Sequence, residues 1–277
     1  MVDEAPRTRR ARAAAEAALV RVVHHYGERP EFVVLGGLVP ELLCSESPYS
    51  HAGTTDVDVQ VDLEIAAGSV HTARLERALR NAEFEPDAER SWRWVAGSRG
   101  TNVLIRFELL ADLDDKPEGV TFTFDECEDL GAANLRGTGY AARDVEVRQL
   151  SSKIEGVLHT VEVNVSGLAG FLLAKIAAAY ARRKTKDWYD IAFVLLHNDL
   201  GGPDQAAAAV LDRFGGDLAG LIRTATEDLQ ANFAEPGAQG PTAYADQMRL
   251  DHPDLDRKAL AADGVVAVER FCKLVLP

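Results

Sequence analysis

Residues Asp56 to Leu63 alternate without a break: Asp56, Asp58, Gln60 and Asp62 share one parity, and Val57, Val59, Val61 and Leu63 share the other. A period of two marks a strand with one face in a core and the other toward polar surroundings. The chain is thereby committed to a sheet, with carboxylates side by side on one strand face. Shortly before it, the apolar run Phe32–Leu35 reads as a short buried strand. That strand enters Gly36–Gly37, a helical stretch over 38–43, and a polar loop containing Ser45, Ser47, Pro48, Ser50 and Gly53.

Around this pair, residues 8–26 have the spacing of an amphipathic helix, with Ala15, Leu19, Val22 and Val23 inward and a stop at Gly27 and Pro30. The pattern predicts a helix over His71–Asn81 and strands over Trp92–Val95, Asn102–Ala111 and Val120–Phe124. Residues 126–150 are loop-rich and end in a strand-like Val145–Leu150, followed by a strand over Val157–Val165. From Ser166 the period becomes helical: 167–184, 186–198, 203–214, 217–232 and shorter segments to 275. Breaks fall at Gly201–Pro203, Gly215–Gly216 and Pro236–Pro241. The expectation is an α+β chain, with a mixed sheet and flanking helices over residues 1–165 and a helical half over 166–277 that completes a cleft.

Charge narrows the function. Thirty Lys and Arg against 44 Asp and Glu give a formal charge of −14, which disfavours a uniformly basic nucleic-acid-binding surface. The distribution is uneven: residues 31–150 carry 11 basic and 23 acidic side chains, whereas 175–186 hold five basic residues and no acid. An acidic region beside a short basic element suits divalent cations and polyphosphate sharing one cleft. Cys44, Cys127 and Cys272 are widely separated and form no CxxC pair, so neither a disulfide framework nor a zinc site is indicated. No apolar run reaches the roughly 18–20 residues of a membrane helix, and the N-terminus lacks a secretory pattern. A cytoplasmic, membrane-free protein is expected.

The chemistry concentrates in two stretches. Asp56 and Asp58, at i and i+2 of one strand, have Cα atoms about 7 Å apart and can reach a common Mg²⁺ or a close metal pair. Two metals roughly 3.5–4 Å apart serve in-line displacement at phosphorus. The Gly36–Gly37 turn would let backbone N–H groups approach phosphate oxygens. The plain alternative for the acids is a solvated strand face. Glu108, among apolar neighbours in Leu104–Leu110, is a candidate third carboxylate or an ion partner for Arg106; Asp112 is a weaker substitute.

The second stretch is residues 166–196. Ser166 can cap its first helix. Leu168, Phe171, Leu172, Lys175, Ile176 and Ala179 then share a face, which places Lys175 inside an apolar stripe, where a cation needs an anion or must snorkel outward. Thr185 is a plausible cap for the next helix, on which Asp187 and Asp190 share a face. An acid in a helix's first turn, as Asp187 would be, also has an ordinary dipole explanation. Trp188 and Tyr189 read as core and rim. Gly137-Thr-Gly139-Tyr-Ala-Ala142 loosely matches a dinucleotide fingerprint but leads toward a strand, so it is set aside.

Taken together, GGLVPELL, TTDVDVQVDL and GLAGFLLAKIAAAYARRKTKDWYDIAFVLL resemble the nucleotidyltransferase family of AbiEii and MenT type toxins, a branch of the DNA polymerase β-like superfamily. The resemblance implies a nucleotidyltransferase-like sheet, Mg²⁺ held by Asp56 and Asp58, and Lys175 meeting the nucleotide triphosphate. It also implies that Asp190, with Asp187 beside it, completes the site. Thr55 or Thr54 stands where the family commonly has Ser or Thr. An arginine often found just before the acids is absent, since His51 and Gly53 occupy that loop, so triphosphate contacts would lean on Lys175, Arg182 and Arg183. The implied activity is transfer of a nucleoside monophosphate from an NTP to an acceptor, often the tRNA 3′ end, with a cognate antitoxin as partner. Glu108 or Asp190 would assist deprotonation of the acceptor. An RNA acceptor would be expected to touch residues 182–186 and Arg7–Arg12. Nucleotidylation of a small molecule or protein hydroxyl, or a non-catalytic nucleotide- or partner-binding module, are the rival readings.

Overall fold

Thr8 opens the first helix, its hydroxyl accepting the Ala11 N–H at 3.1 Å, and Gly27 closes it in the left-handed region. The computed structural model describes residues 8–61, 70–97 and 103–276. The expected positions Arg7, Asp62, Leu63 and Asn102 lie outside the described residues. The chain divides into two units, Met1–Val39 with Gly53–Ser166, and Pro40–Ala52 with Gly167–Pro277. Pro40–Ala52, before the acid strand, thus falls in the same unit as the helical residues 167–277.

In chain order the first unit contains α1 (Arg9–Tyr26), β1 (Val33–Leu35), a 3₁₀ turn (Gly36–Leu38) and the start of α2 (Val39–Leu43), at which the units divide. It continues with β2 (Asp56–Gln60), α3 (Val70–Asn81), β3 (Glu85–Asp87), β4 (Arg90–Gly97) and β5 (Leu104–Ala111). Then come β6 (Thr121–Thr123), β7 (Gly131–Asn134), α4 (Gly139–Ala142), β8 (Val145–Ile154) and β9 (Val157–Ser166). The strands form one mixed sheet, ordered β3-β4-β5-β2-β1-β9-β8, with β7 pairing the end of β5 and β6 pairing β7. The β1·β9, β2·β5 and β5·β7 pairs are parallel; the other pairs are antiparallel.

The alternation of β2 sorts the two faces. Val57 and Val59 align with Phe107 and Leu109 of β5, and all four are buried, as are Val34 and Trp94 on the same parity. The helices cover this face: Arg80 of α3 lies over Trp94, and His24 of α1 meets His159 of β9. The opposite face carries Asp56, Asp58 and their cross-strand neighbours. Residues 126–150, expected to be mostly loop, include β7 and α4, and β8 runs on past Leu150 to Ile154. The β7 segment, Gly-Ala-Ala-Asn, has no branched or aromatic residue, so only pairing with β5 and β6 makes it a strand.

The second unit is helical: α5 (Leu168–Arg182), α6 (Thr185–His197), α7 (Pro203–Phe214), α8 (Gly220–Asn232), α9 (Gln239–Asp251) and α10 (Arg257–Val275). The expected Ser166 and Thr185 caps are each displaced by one residue, to Gly167 and Lys184, neither making a side-chain cap bond. Pro241, expected in a break, sits in the first turn of α9, where a missing N–H costs nothing. The shorter segments expected to 275 include a 19-residue helix, α10, capped by Asp256, whose carboxylate accepts the Lys258 and Ala259 N–H groups. Pro40–Ala52 is tied to this unit by Asp199, which accepts from the Ser45 N–H and hydroxyl and the Glu46 N–H. No described helix is long and apolar enough to cross a membrane.

Candidate active site

In the first unit the parallel register of β2 on β5 places Asp56 beside Arg106 and Asp58 beside Glu108. Directly paired residues of a sheet point to one side, so the three carboxylates share a face. Glu108 is pushed up to about 7, first by burial and then by the negative charge of Asp58, with Asp56 adding to it and Arg93 opposing. The expected ion partner of Glu108 was Arg106, its neighbour two positions away. The partner is instead Arg93 of β4, opposite Glu108 in the antiparallel register and 2.7 Å away through Nε. Arg106 turns to Asp56, Nη1 to Oδ1 3.3 Å.

The turn before the acids is fitted to them. A Cβ on Gly36, whose φ is +75°, would lie 2.0 Å from Asp58 Oδ2, and a Cβ on Gly37 would lie 2.7 Å from Thr54 Cβ. Thr54 Oγ1 accepts the Asp56 N–H at 3.0 Å, and Thr55 Oγ1 lies 3.4 Å from Asp56 Oδ1. Among the described residues no three His, Cys, Asp or Glu side chains form a ready cage for a metal. Magnesium asks for less: it usually takes one or two carboxylates and completes its octahedron with water and substrate phosphate. Paired aspartates with a third acid repelled by both fit that ion. Asp112 is occupied elsewhere, its Oδ2 accepting the Gly137 and Gly139 N–H groups at the start of α4.

The second unit gathers the other expected residues. Lys175 is 6% exposed, Asp187 0% and Asp190 1%. Lys175 Nζ lies 2.7 Å from Asp190 Oδ2 and 3.2 Å from Asp187 Oδ1. Arg182 grips Asp187 with both arms of its fork, Nε to Oδ2 at 2.7 Å and Nη2 to Oδ1 at 2.6 Å. Burial disfavours the Lys175 charge, but Asp190 and then Asp187 outweigh it and raise its pKa. Burial likewise opposes ionised Asp187, yet Lys175 and Arg182 hold its pKa below the usual carboxylate range. The anion that the lysine in the apolar stripe called for is thus supplied by the next helix. Arg183 pairs with Asp228.

His51 was read only as a departure from a family pattern. It is 0% exposed, with Nε2 2.9 Å from Asp190 Oδ1, stacked on Tyr189 and edge-on to Phe193. Its backbone N–H donates to Glu41, and the next residue, Ala52, donates to the Tyr189 hydroxyl. Trp188 and Tyr189 are both buried, so Tyr189 is core and not rim. Reading the sequence missed His51 and Arg93 as members of charged clusters. No local spacing marks either one, because their partners stand 139 and 15 positions away.

Compared with protein-family models, residues 54–267 match one described as nucleotidyl transferase AbiEii toxin, type IV TA system. The matched span begins two residues before Asp56 and contains both charged clusters apart from His51, which precedes it together with Gly36 and Gly37. No curated protein and no solved structure matches the chain.

Proposed function

The chain belongs to the AbiEii family of nucleotidyl transferase toxins of type IV toxin–antitoxin systems, and from that premise we propose that it transfers a nucleoside monophosphate from an NTP to an acceptor hydroxyl in a Mg²⁺-dependent reaction. The observation that carries this reading is the grouping of Asp56, Asp58 and Glu108 on one sheet face, where both aspartates still push the Glu108 carboxyl up although Arg93 opposes them, so that a further cation would be stabilising. Asp56 and Asp58 would hold magnesium, which when bound would neutralise phosphate charge and activate the transfer. Gly36 keeps the space beside Asp58 clear of a side chain, and Gly37 does the same beside Thr54. Thr55 orients Asp56. Glu108, next to Asp58, takes the proton of the acceptor hydroxyl.

In the second unit Asp190 and Asp187 keep the buried Lys175 ammonium protonated and aimed. Arg182 fixes Asp187 in turn. Asp190 is then a positioning residue, which leaves proton transfer to Glu108. The acceptor we favour is the 3′ end of a tRNA, and the partner a cognate antitoxin protein.

The test is transfer of label from each of the four α-labelled NTPs to RNA, protein and metabolite fractions, with and without EDTA. Labelled tRNA that disappears with EDTA, and in Asp58→Ala at unchanged melting temperature, is the expected result. Label in the protein or metabolite fraction moves the acceptor to the rival class, and label in none of them refutes transfer.

A further inference from the structure

Two guanidiniums share the acid-bearing strand face, and neither was expected to belong to the site. The β4·β5 register sets Arg93 opposite Glu108 and Val95 opposite Arg106, so Arg93 and Arg106 are diagonal neighbours on the same side of the sheet. Read across β4, β5 and β2, one row runs Arg93, Glu108, Asp58 and the next runs Val95, Arg106, Asp56. Within these two rows, among the described residues, three carboxylates stand against two guanidiniums. The strand face thus attracts a metal cation while keeping fixed positive charge within reach of whatever anion the metal brings.

The expected phosphate ligands are differently placed. Lys175 and Arg182 are bound to Asp187, which is 0% exposed, and Arg183 is bound to Asp228. Their charges are largely answered inside their own unit. Arg182 and Arg183 are the more exposed, at 40% and 48%, but are held at 2.6 and 2.8 Å, whereas Arg106 and Asp56, 26% and 22% exposed, meet at 3.3 Å, a long contact for a charge-assisted bond. Arg93 keeps 17% beside Glu108. Arg106 rests on Asp56, a carboxylate that a metal would claim, and Arg93 rests on Glu108, which takes up the acceptor proton; neutralising either carboxylate loosens its hold on the fork. A guanidinium fork matches phosphate oxygens in a bidentate way that an ammonium does not.

We propose that Arg93 and Arg106 form the polyphosphate-binding pair of this face. They hold the β- and γ-phosphates of the NTP and then the departing pyrophosphate. This inference rests on the transfer reaction proposed above. In that reaction the bond between the α-phosphorus and the β-bridging oxygen breaks, and pyrophosphate leaves with the electron pair. A new bond forms from the acceptor oxygen to the α-phosphorus, and the acceptor proton passes to Glu108. Arg106 and Arg93 answer the charge that builds on the leaving group.

The experiment compares the wild-type chain with Arg93→Gln, Arg106→Gln and the two Arg→Lys variants. It reads KM for the NTP, kcat, product inhibition by pyrophosphate, and calorimetric binding of magnesium pyrophosphate. Losing a charge-assisted bond to phosphate should raise KM and the pyrophosphate inhibition constant about tenfold or more. The Lys variants, which retain the charge and the ion pair but lose the fork, should fall between wild type and Gln. If a Gln variant fails to fold, its Lys counterpart decides. Wild-type transfer with unchanged KM and pyrophosphate inhibition in the folded variants overturns the inference and leaves the transferase intact. A wild-type chain that binds magnesium pyrophosphate normally but transfers nothing refutes the transferase reading, and the binding arm then still decides the arginines. A wild-type chain that neither transfers nor binds pyrophosphate overturns both.

Discussion

A lysine in an apolar helix stripe must find an anion, and the identity of that anion changes how Lys175 can be tested. Asp187 and Asp190, three positions apart on α6, put two carboxylates around one ammonium. Removing the ammonium would leave both acids buried against each other, with Arg182 on Asp187 and His51 on Asp190. Lys175→Ala should therefore cost about 3–5 kcal/mol of stability, as when one member of a buried ion pair is deleted. Denaturant unfolding measures this, and a loss below about 1 kcal/mol would show that the carboxylates are not held by the lysine. Loss of activity in that variant cannot be assigned to nucleotide binding without the stability measurement. Asp58 is the opposite case, because its removal relieves repulsion with Glu108.

At the scale of elements, the sheet was more legible than its edges. The period of β2 and the apolar run of β1 identified the acid strand and its neighbour. β7 and the last four residues of β8, Ser151–Ile154, did not show, since small or polar residues become strand only where partners supply hydrogen bonds. The β8–β9 hairpin turns through Glu155 and Gly156, with φ of 52° and 85°, between the paired residues Ile154 and Val157. Two positive φ values in a two-residue loop suit Asn-Gly far better than Glu-Gly. Glu155→Asn should raise stability by about 0.5–1 kcal/mol, read as a rise in Tm of roughly 1–4 °C. A fall would mean that the Glu155 side chain makes a stabilising contact that outweighs its backbone strain.

For the molecule as a whole, the net charge of −14 limits how an RNA acceptor can be held. Each phosphate neutralised steepens the salt dependence, so two contacts lose about tenfold in affinity between 50 and 200 mM salt, whereas six to ten lose about 10³–10⁵. Transfer to tRNA should fall by no more than about 50-fold over that range. A steeper loss would reveal an extended basic surface that the charge distribution does not suggest. The acidic strand, the change from mixed to helical pattern near residue 165 and the pairing of Asp187 with Asp190 on one helix face were all readable, because each is a local periodicity imposed by backbone geometry. Three features were not: that Pro40–Ala52 joins the helical unit, that His51 meets Asp190, and that Glu108 faces Arg93 while Arg106 faces Asp56. These depend on strand register and loop docking between residues far apart in the chain. Periodicity says which face a side chain is on, and only tertiary packing decides which side chain stands opposite it.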